Sequence, residues 1–254
     1  MTMAKDTERV KTDHEIKLIG NSSRMVAETL NLLGGLVAPG KTTGELDRAA
    51  EDYIRSNGGV PSFKGYRGFP ATICASVNTE VVHGIPGSRV LESGDIISID
   101  VGVLKDGYHG DGAATFPVGE VSDEAMKLLS ATSDALQAGI GGAIHGNMVR
   151  DISAAVQKVV EDRGFSVVTD YTGHGIGKSM HEHPQIPNFV INGDKTMLVS
   201  GMTLAIEPMV NTGGSEVKTK ADGWTVITKD GSLSAHFEHT VVVGEGKAEI
   251  LTKI

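Results

Sequence analysis

The chain has a single cysteine, Cys74, in 254 residues. One thiol cannot build a disulfide within the chain, and such scarcity fits a reducing compartment. No apolar run approaches the roughly 20 residues of a membrane span. The opening stretch from Met1 to Lys11 is polar and lacks the apolar core of a secretory signal. These absences lead us to expect a cytoplasmic chain without membrane contact. Basic residues are also short: 23 Lys and Arg stand against 32 Asp and Glu, a formal charge of −9. A nucleic-acid binder shows the opposite bias. Aromatics reach only 4%, so each one raises a question. Apolar residues at 39% and charged residues at 22% are ordinary globular chemistry and argue against disorder. A chain this long buries roughly three quarters of its unfolded surface and needs no covalent staples.

The chain repeats itself. Leu91-Glu92-Ser93-Gly94 and the apolar stretch ending Ile99-Asp100 reappear as Leu198-Val199-Ser200-Gly201 and a stretch ending Ile206-Glu207, 107 positions later. Helical patterns recur at a similar offset. Ile16, Ile19, Val26, Leu30 and Leu33 share one helix face, with Thr12 and Glu15 spaced as a capping box before them and Gly34-Gly35 expected to end the helix. A second helix follows Thr42 and Glu45, with Leu46, Ala49, Ala50, Tyr53 and Ile54 on its apolar side and Gly58-Gly59 after it. In the second half, Lys127-Leu128-Leu129 echoes Lys17-Leu18-Ile19. Ile152, Ala155, Val156, Val159 and Val160, closed by Gly164, echo the second helix. Each half reads helix, helix, strands. The expected result is one α+β domain with pseudo-two-fold symmetry, an antiparallel sheet and helices packed on one face.

The strand patterns hold carboxylates where apolar residues belong. Ile97, Ile99, Val101 and Val103 alternate with Ser98, Asp100 and Gly102, and Asp106-Gly107 is a strong two-residue turn signal. A hairpin closed there pairs Asp100 with Ala113 and Asp111 with Gly102. Both aspartates then share a face as diagonal neighbours, about 7 to 8 Å apart at the backbone. Asp230-Gly231 suggests a second hairpin, from Trp224–Thr228 to Ala235–Val243, which pairs Trp224 with Phe237 on the face away from Glu238. Glu207 and Glu238 repeat the oddity of acids within apolar strand patterns. One acid on a solvated strand face is common; four, two of them at matched repeat ends and with few Lys or Arg nearby, point to bound cations. Imidazoles are near in sequence: His174 between glycines, His181 and His183 after it, and His83 in a turn-rich segment. His14, His109 and His145 are expected at the surface.

These segments together resemble the methionine aminopeptidases of the bacterial, type I kind, from about residue 10 to the end. The matching stretches are Gly65–Pro70, Asn78–Gly87, Gly94–Thr115, Thr172–Pro184, Gly201–Pro208 and His236–Thr240. The resemblance implies the duplicated pita-bread fold. It also implies a short polar segment over residues 1–12 and a catalytic domain over 13–254, its halves about 13–117 and 122–243. It implies five metal ligands, Asp100, Asp111, His174, Glu207 and Glu238, holding two divalent ions of cobalt, manganese, iron or zinc. Asp111 and Glu238 would bridge the pair, with Asp100 on one metal and His174 and Glu207 on the other. Glu207 would relay a proton, His181 would stabilise the oxyanion, and His83 would contact the scissile peptide nitrogen.

Tyr66, Phe69, Cys74, Met180 and Trp224 match the methionine pocket. Several relatives carry phenylalanine where Met180 stands and glutamine where His236 stands. The implied activity is removal of the initiator methionine from peptides and nascent chains, with a small second residue preferred. A monomer with transient ribosome contact is expected. A proline-specific aminopeptidase or dipeptidase of the same fold is the rival enzyme, although those usually carry a sizeable N-terminal domain. A non-catalytic binding module is the third reading, although such homologues lose ligands.

Overall fold

The structure, a computed structural model, describes residues 10–254. The polar segment expected over residues 1–12 lies outside the described residues up to residue 9. Helix α1 (Asp13–Leu36) begins with the expected capping box: the Thr12 hydroxyl accepts from the Glu15 N–H, and the Glu15 carboxylate accepts from the Thr12 N–H at 2.9 Å. The helix runs past Gly34-Gly35. Gly34 serves close packing instead, since a Cβ there would collide with the Phe116 ring. Helix α2 (Thr43–Ser56) opens with the same box from Thr42 and Glu45. The second pair is α3 (Asp123–Gly142), capped by Ser122, and α4 (Val149–Asp162), whose Asp151 accepts from the Met148 N–H at 2.7 Å. No helix among the described residues is long and apolar enough to cross a membrane.

The central sheet has nine strands: β1 (Val60–Pro61), β2 (Ile73–Val77), β3 (Ile96–Lys105), β4 (Tyr108–Pro117), β5 (Thr172–Gly175), β6 (Glu182–Pro187), β7 (Thr203–Ile206), β8 (Glu238–Val242) and β9 (Glu249–Ile250). The order runs β1-β3-β4-β8-β7-β5-β6, with β2 also on β3 and β9 also on β8. All pairs are antiparallel. The β3–β4 hairpin has the register read from the sequence, Asp100 opposite Ala113 and Gly102 opposite Asp111. Asp106 and Gly107 both take positive φ, as a two-residue turn of this hand requires.

One face of β3, Ile97, Ile99, Val101 and Val103, packs with Val26, Leu33, Leu46 and Ile54 of α1 and α2 into one core. Leu136 and Ile140 of α3 and Ile152 of α4 cover Leu204, Ile206 and Val241 in a second. The duplication extends to detail. Gly94 and Gly201 both adopt positive φ before equivalent strands. An isolated bridge joins Thr42 to Val90, and its counterpart joins Met148 to Met197.

The second expected hairpin does not form. Residues Val226–Thr228 pair with Val217–Thr219 and Glu80–Val82 in a small flanking sheet. Residues Ser234–His236 pair with Met209–Asn211 in another. The Asp230 carboxylate explains the departure: it accepts from the Gly214 and Ser232 N–H groups, and the Thr228 hydroxyl donates to the Ser232 carbonyl, so the chain turns into a different sheet. His109 is also corrected. It is half-buried on β4, with Nδ1 2.9 Å from the Ser62 hydroxyl.

Candidate metal centre

Strand register gathers the acids into two adjacent rows on the sheet face away from the helices. In the first row Asp100 lies opposite Ala113, and Ala113 opposite Glu238. One step past the pair His239 and Ile206, Glu207 takes the place beside Glu238. The second row runs Gly102, Asp111, Thr240, Ala205, His174. The Thr240 hydroxyl locks its centre, accepting from the Asp111 N–H at 3.1 Å and donating to the Asp111 carbonyl at 2.8 Å. Small residues at Gly102, Ala113 and Ala205 leave room between the donors.

Donor atoms of Asp111, His174 and Glu238 lie within 4.8 Å of one another. His174 Nε2 is 3.9 Å from Asp111 Oδ2 and 3.6 Å from Glu207 Oε1. His174 Nδ1 sits 2.9 Å from the Gly175 carbonyl. A carbonyl only accepts, so Nδ1 carries the proton and the Nε2 lone pair faces the acids. Burial holds this imidazole neutral, its pKa pushed down to about 4.

The acids themselves are pushed the other way. Burial raises Asp100 to about 7. Burial first, then the charge of Asp100, raises Asp111 and Glu207 well above the usual carboxylate range, and burial with Asp111 does the same to Glu238. Asp100 Oδ1 and Glu238 Oε1 are buried with no hydrogen-bond partner. Among the described residues, none of these four carboxylates is paired with Lys or Arg; Asp111 and Glu207 have neutral imidazoles within 4 Å. Orphaned acid oxygens around a neutral imidazole fit divalent cations, which would reverse the repulsion.

The rows form the floor of a cavity of about 370 Å³ that reaches all five of these residues, His83 and His181. The Tyr66 hydroxyl is 2.8 Å from His181 Nδ1, and the His181 ring stands 4.3 Å from that of His174. His83 adopts φ 60 in the left-handed region, which places its ring 5.5 Å from Tyr171 and 6.3 Å from Trp224. Burial pushes its pKa down to about 4. The apolar wall is Phe63, Phe69, Cys74 and Met180, with Tyr66 and Trp224 packed against them. Phe69 and Trp224 meet edge to face at 5.2 Å. Trp224 thus enters from a flanking sheet, which removes the conflict that a hairpin would have created.

His236, buried, sets Nε2 3.7 Å from Glu207 Oε2. Several lining residues were not foreseen: Phe63, Val82, Asp170, Tyr171, Gln185 and Met209. Only Phe63 left a local sign, in Gly102. A glycine inside a strand marks a close approach, and a Cβ there would strike the Phe63 ring and Ser62.

Comparison with known proteins agrees with this geometry. The profile of metallopeptidase family M24 matches residues 17–245. A methionine aminopeptidase of Clostridium acetobutylicum is 52% identical over 96% of this chain and 98% of its own length. The crystal structure of methionine aminopeptidase from Thermotoga maritima superposes with a TM-score of 0.95 at 43% identity, covering 97% of this chain and 99% of that one. An Xaa-Pro dipeptidase from Bacillus anthracis shares the pita-bread fold, with a TM-score of 0.79 at 24% identity, but this chain covers only 64% of it. A full-length match of sequence and fold, with an acidic cluster suited to divalent metal, places the chain in metallopeptidase family M24, among its methionine aminopeptidases.

Proposed function

We propose that this chain hydrolyses the first peptide bond of peptides and nascent proteins that begin with methionine. Residues 13–254 act as one catalytic domain, cytoplasmic and monomeric, with transient contact to the ribosome. The observation that carries the reading is the two-row array of four acids and a neutral imidazole beneath an apolar wall. Two divalent ions would balance four carboxylates in charge, and manganese, iron, cobalt and zinc all accept these donors. Asp111 and Glu238 would bridge them, Asp100 would hold one, and His174 and Glu207 the other. Bound there, they would supply Lewis acidity and a water acidic enough to attack near neutral pH.

The chain's own groups supply the rest. Glu207 takes the proton of the attacking water at a carboxylate oxygen and passes it to the departing nitrogen. The Tyr66 hydroxyl stands 2.8 Å from His181 Nδ1; with the hydroxyl as donor, the neutral ring would carry its proton on Nε2 and offer it to the developing oxyanion. His83 contacts the nitrogen beside the scissile bond. Tyr66, Phe69, Cys74, Met180 and Trp224 surround a thioether side chain, which suits an apolar, polarisable pocket. The rings of His83, Tyr171 and Trp224 converge at the pocket edge, which supports a small second residue.

The test is cleavage of Met-Ala-Ser beside metal analysis of Asp111→Asn and Glu238→Gln. Both variants are expected to lose activity and bound metal together. Retention of both would overturn the assignment, and hydrolysis of Ala-Pro peptides alone would assign the proline-specific chemistry instead.

A further inference from the structure

We propose that Lys11, which precedes the first helix, is a positioning residue for the loop bearing Met180 and His181. The roles of those two residues rest on the function proposed above; the contact itself does not. Gly175 of β5 lies opposite Glu182 of β6, and Ile176–His181 form the loop between them. Backbone bonds hold its start. The Ile176 N–H donates to the Thr203 carbonyl at 3.1 Å, and the His109 N–H donates to the Gly177 carbonyl at 2.8 Å.

Side chains hold the rest. The Ser179 N–H donates to Glu182 Oε1 at 3.0 Å, and Lys11 Nζ donates to Glu182 Oε2 at 2.7 Å. The Glu182 carboxylate holds the Ser179 N–H, the Gly177 N–H donates to the Ser179 carbonyl at 3.1 Å, and Lys11 fixes the direction of that carboxylate. The pair is shielded from solvent, with Lys11 and Glu182 side chains 7% and 20% exposed, so salt screens it weakly. Gly177 makes the space, since a Cβ there would meet both Lys11 Cε and Glu182 Oε1. Lys11 is anchored in turn. Its N–H donates to the Gly201 carbonyl at 2.9 Å, and Val10 bridges Met202, so the arm lies across the start of β7.

His181 lies between Ser179 and Glu182, so Tyr66 holds its ring while the Lys11–Glu182 pair, through the Ser179 N–H, holds the loop that carries it. Removing that pair leaves the ring free to swing about its Tyr66 contact. A displacement of about 1 Å at a catalytic group costs on the order of 10²-fold in rate.

The test is Lys11→Met, alone and with His181→Ala, and Lys11→Arg as the conservative rescue. Lys11→Met is expected to lower kcat on Met-Ala-Ser by about 10- to 100-fold, more than it raises KM. Metal affinity by titration calorimetry should stay unchanged. Lys11→Arg should restore most of the rate. In the His181→Ala background Lys11→Met should cost nothing further, because it acts through His181; additive losses would overturn the proposal. Hydrogen exchange gives a reading independent of activity. Amides 177–182 should exchange faster in Lys11→Met, while 172–175 and 203–207 stay protected. Equal protection of 177–182, or faster exchange everywhere, would overturn the positioning role. Failure of the unaltered chain to cleave Met-Ala-Ser would instead refute the functional reading, and the exchange data would still judge the contact.

Discussion

The two halves of the molecule share a scaffold and differ in how they deliver their donors. Equivalent glycines, bridges and helix pairs recur near an offset of 107 residues. Yet the first half supplies Asp100 and Asp111 from one long, regular hairpin, whereas the second supplies His174 and Glu238 from two short strands and Glu207 from the residue just past a third. Duplication conserved the frame that aims side chains at the sheet's free face. The interrupted strands of the second half made room for an imidazole and for the loops that carry His181 and Trp224.

The largest expected contrast is between Asp100 and Glu207, the equivalent acids at the repeat ends. Under the proposed roles Glu207 is both ligand and proton carrier, so Glu207→Gln should cut kcat on Met-Ala-Ser by about 10³-fold. Asp100→Asn should cost less. Equal losses would mean that the halves contribute alike. Packing offers the next comparison. Ile99 and Ile206 are equivalent and fully buried. Truncation of either to Ala should cost about 2–5 kcal/mol in chemical denaturation. A large gap between the two would show that one half carries the fold.

Helix caps give a smaller contrast. Thr42 caps α2, while Met148 at the matching place on α4 offers no hydroxyl. Thr42→Ala should lose about 1 kcal/mol, and Met148→Thr should gain a few tenths, by thermal denaturation. Smallest is the acid sensitivity of the first cap. Hydrogen bonds from the Thr12 backbone and then Tyr108 lower Glu15 to about 2. A depressed carboxylate contributes stability above its unfolded value and loses it as pH falls through the folded one. The melting difference between the unaltered chain and Glu15→Gln should therefore be full near neutral pH and vanish as the pH falls to about 2. A constant difference would contradict this.

Local chemistry was legible where it acts over a few residues. The Thr12 and Thr42 boxes, the Asp106-Gly107 turn and the resulting β3–β4 register follow from short-range hydrogen bonds and turn geometry. The oddity of four acids in apolar strands was legible too, as was the repeat. Pairing between distant strands was not. Asp230-Gly231 looks like a hairpin turn, but the Asp230 carboxylate binds Gly214, a partner with no local signature. His109 reads as a surface residue until Ser62, just past β1, arrives beside it. Tyr171, Gln185 and Met209 line the cavity because segments distant in sequence meet there, and a one-dimensional period carries no trace of that. The resemblance, rather than the spacing, carried Trp224 to the pocket.

Under the proposed function, five donors from both halves form a single two-ion centre. Anomalous diffraction from crystals grown with cobalt tests it most directly. Two peaks about 3.5–4 Å apart are expected, bridged by Asp111 and Glu238 and flanked by Asp100 on one side and His174 with Glu207 on the other. A solitary peak, or ions bound away from these side chains, would contradict it.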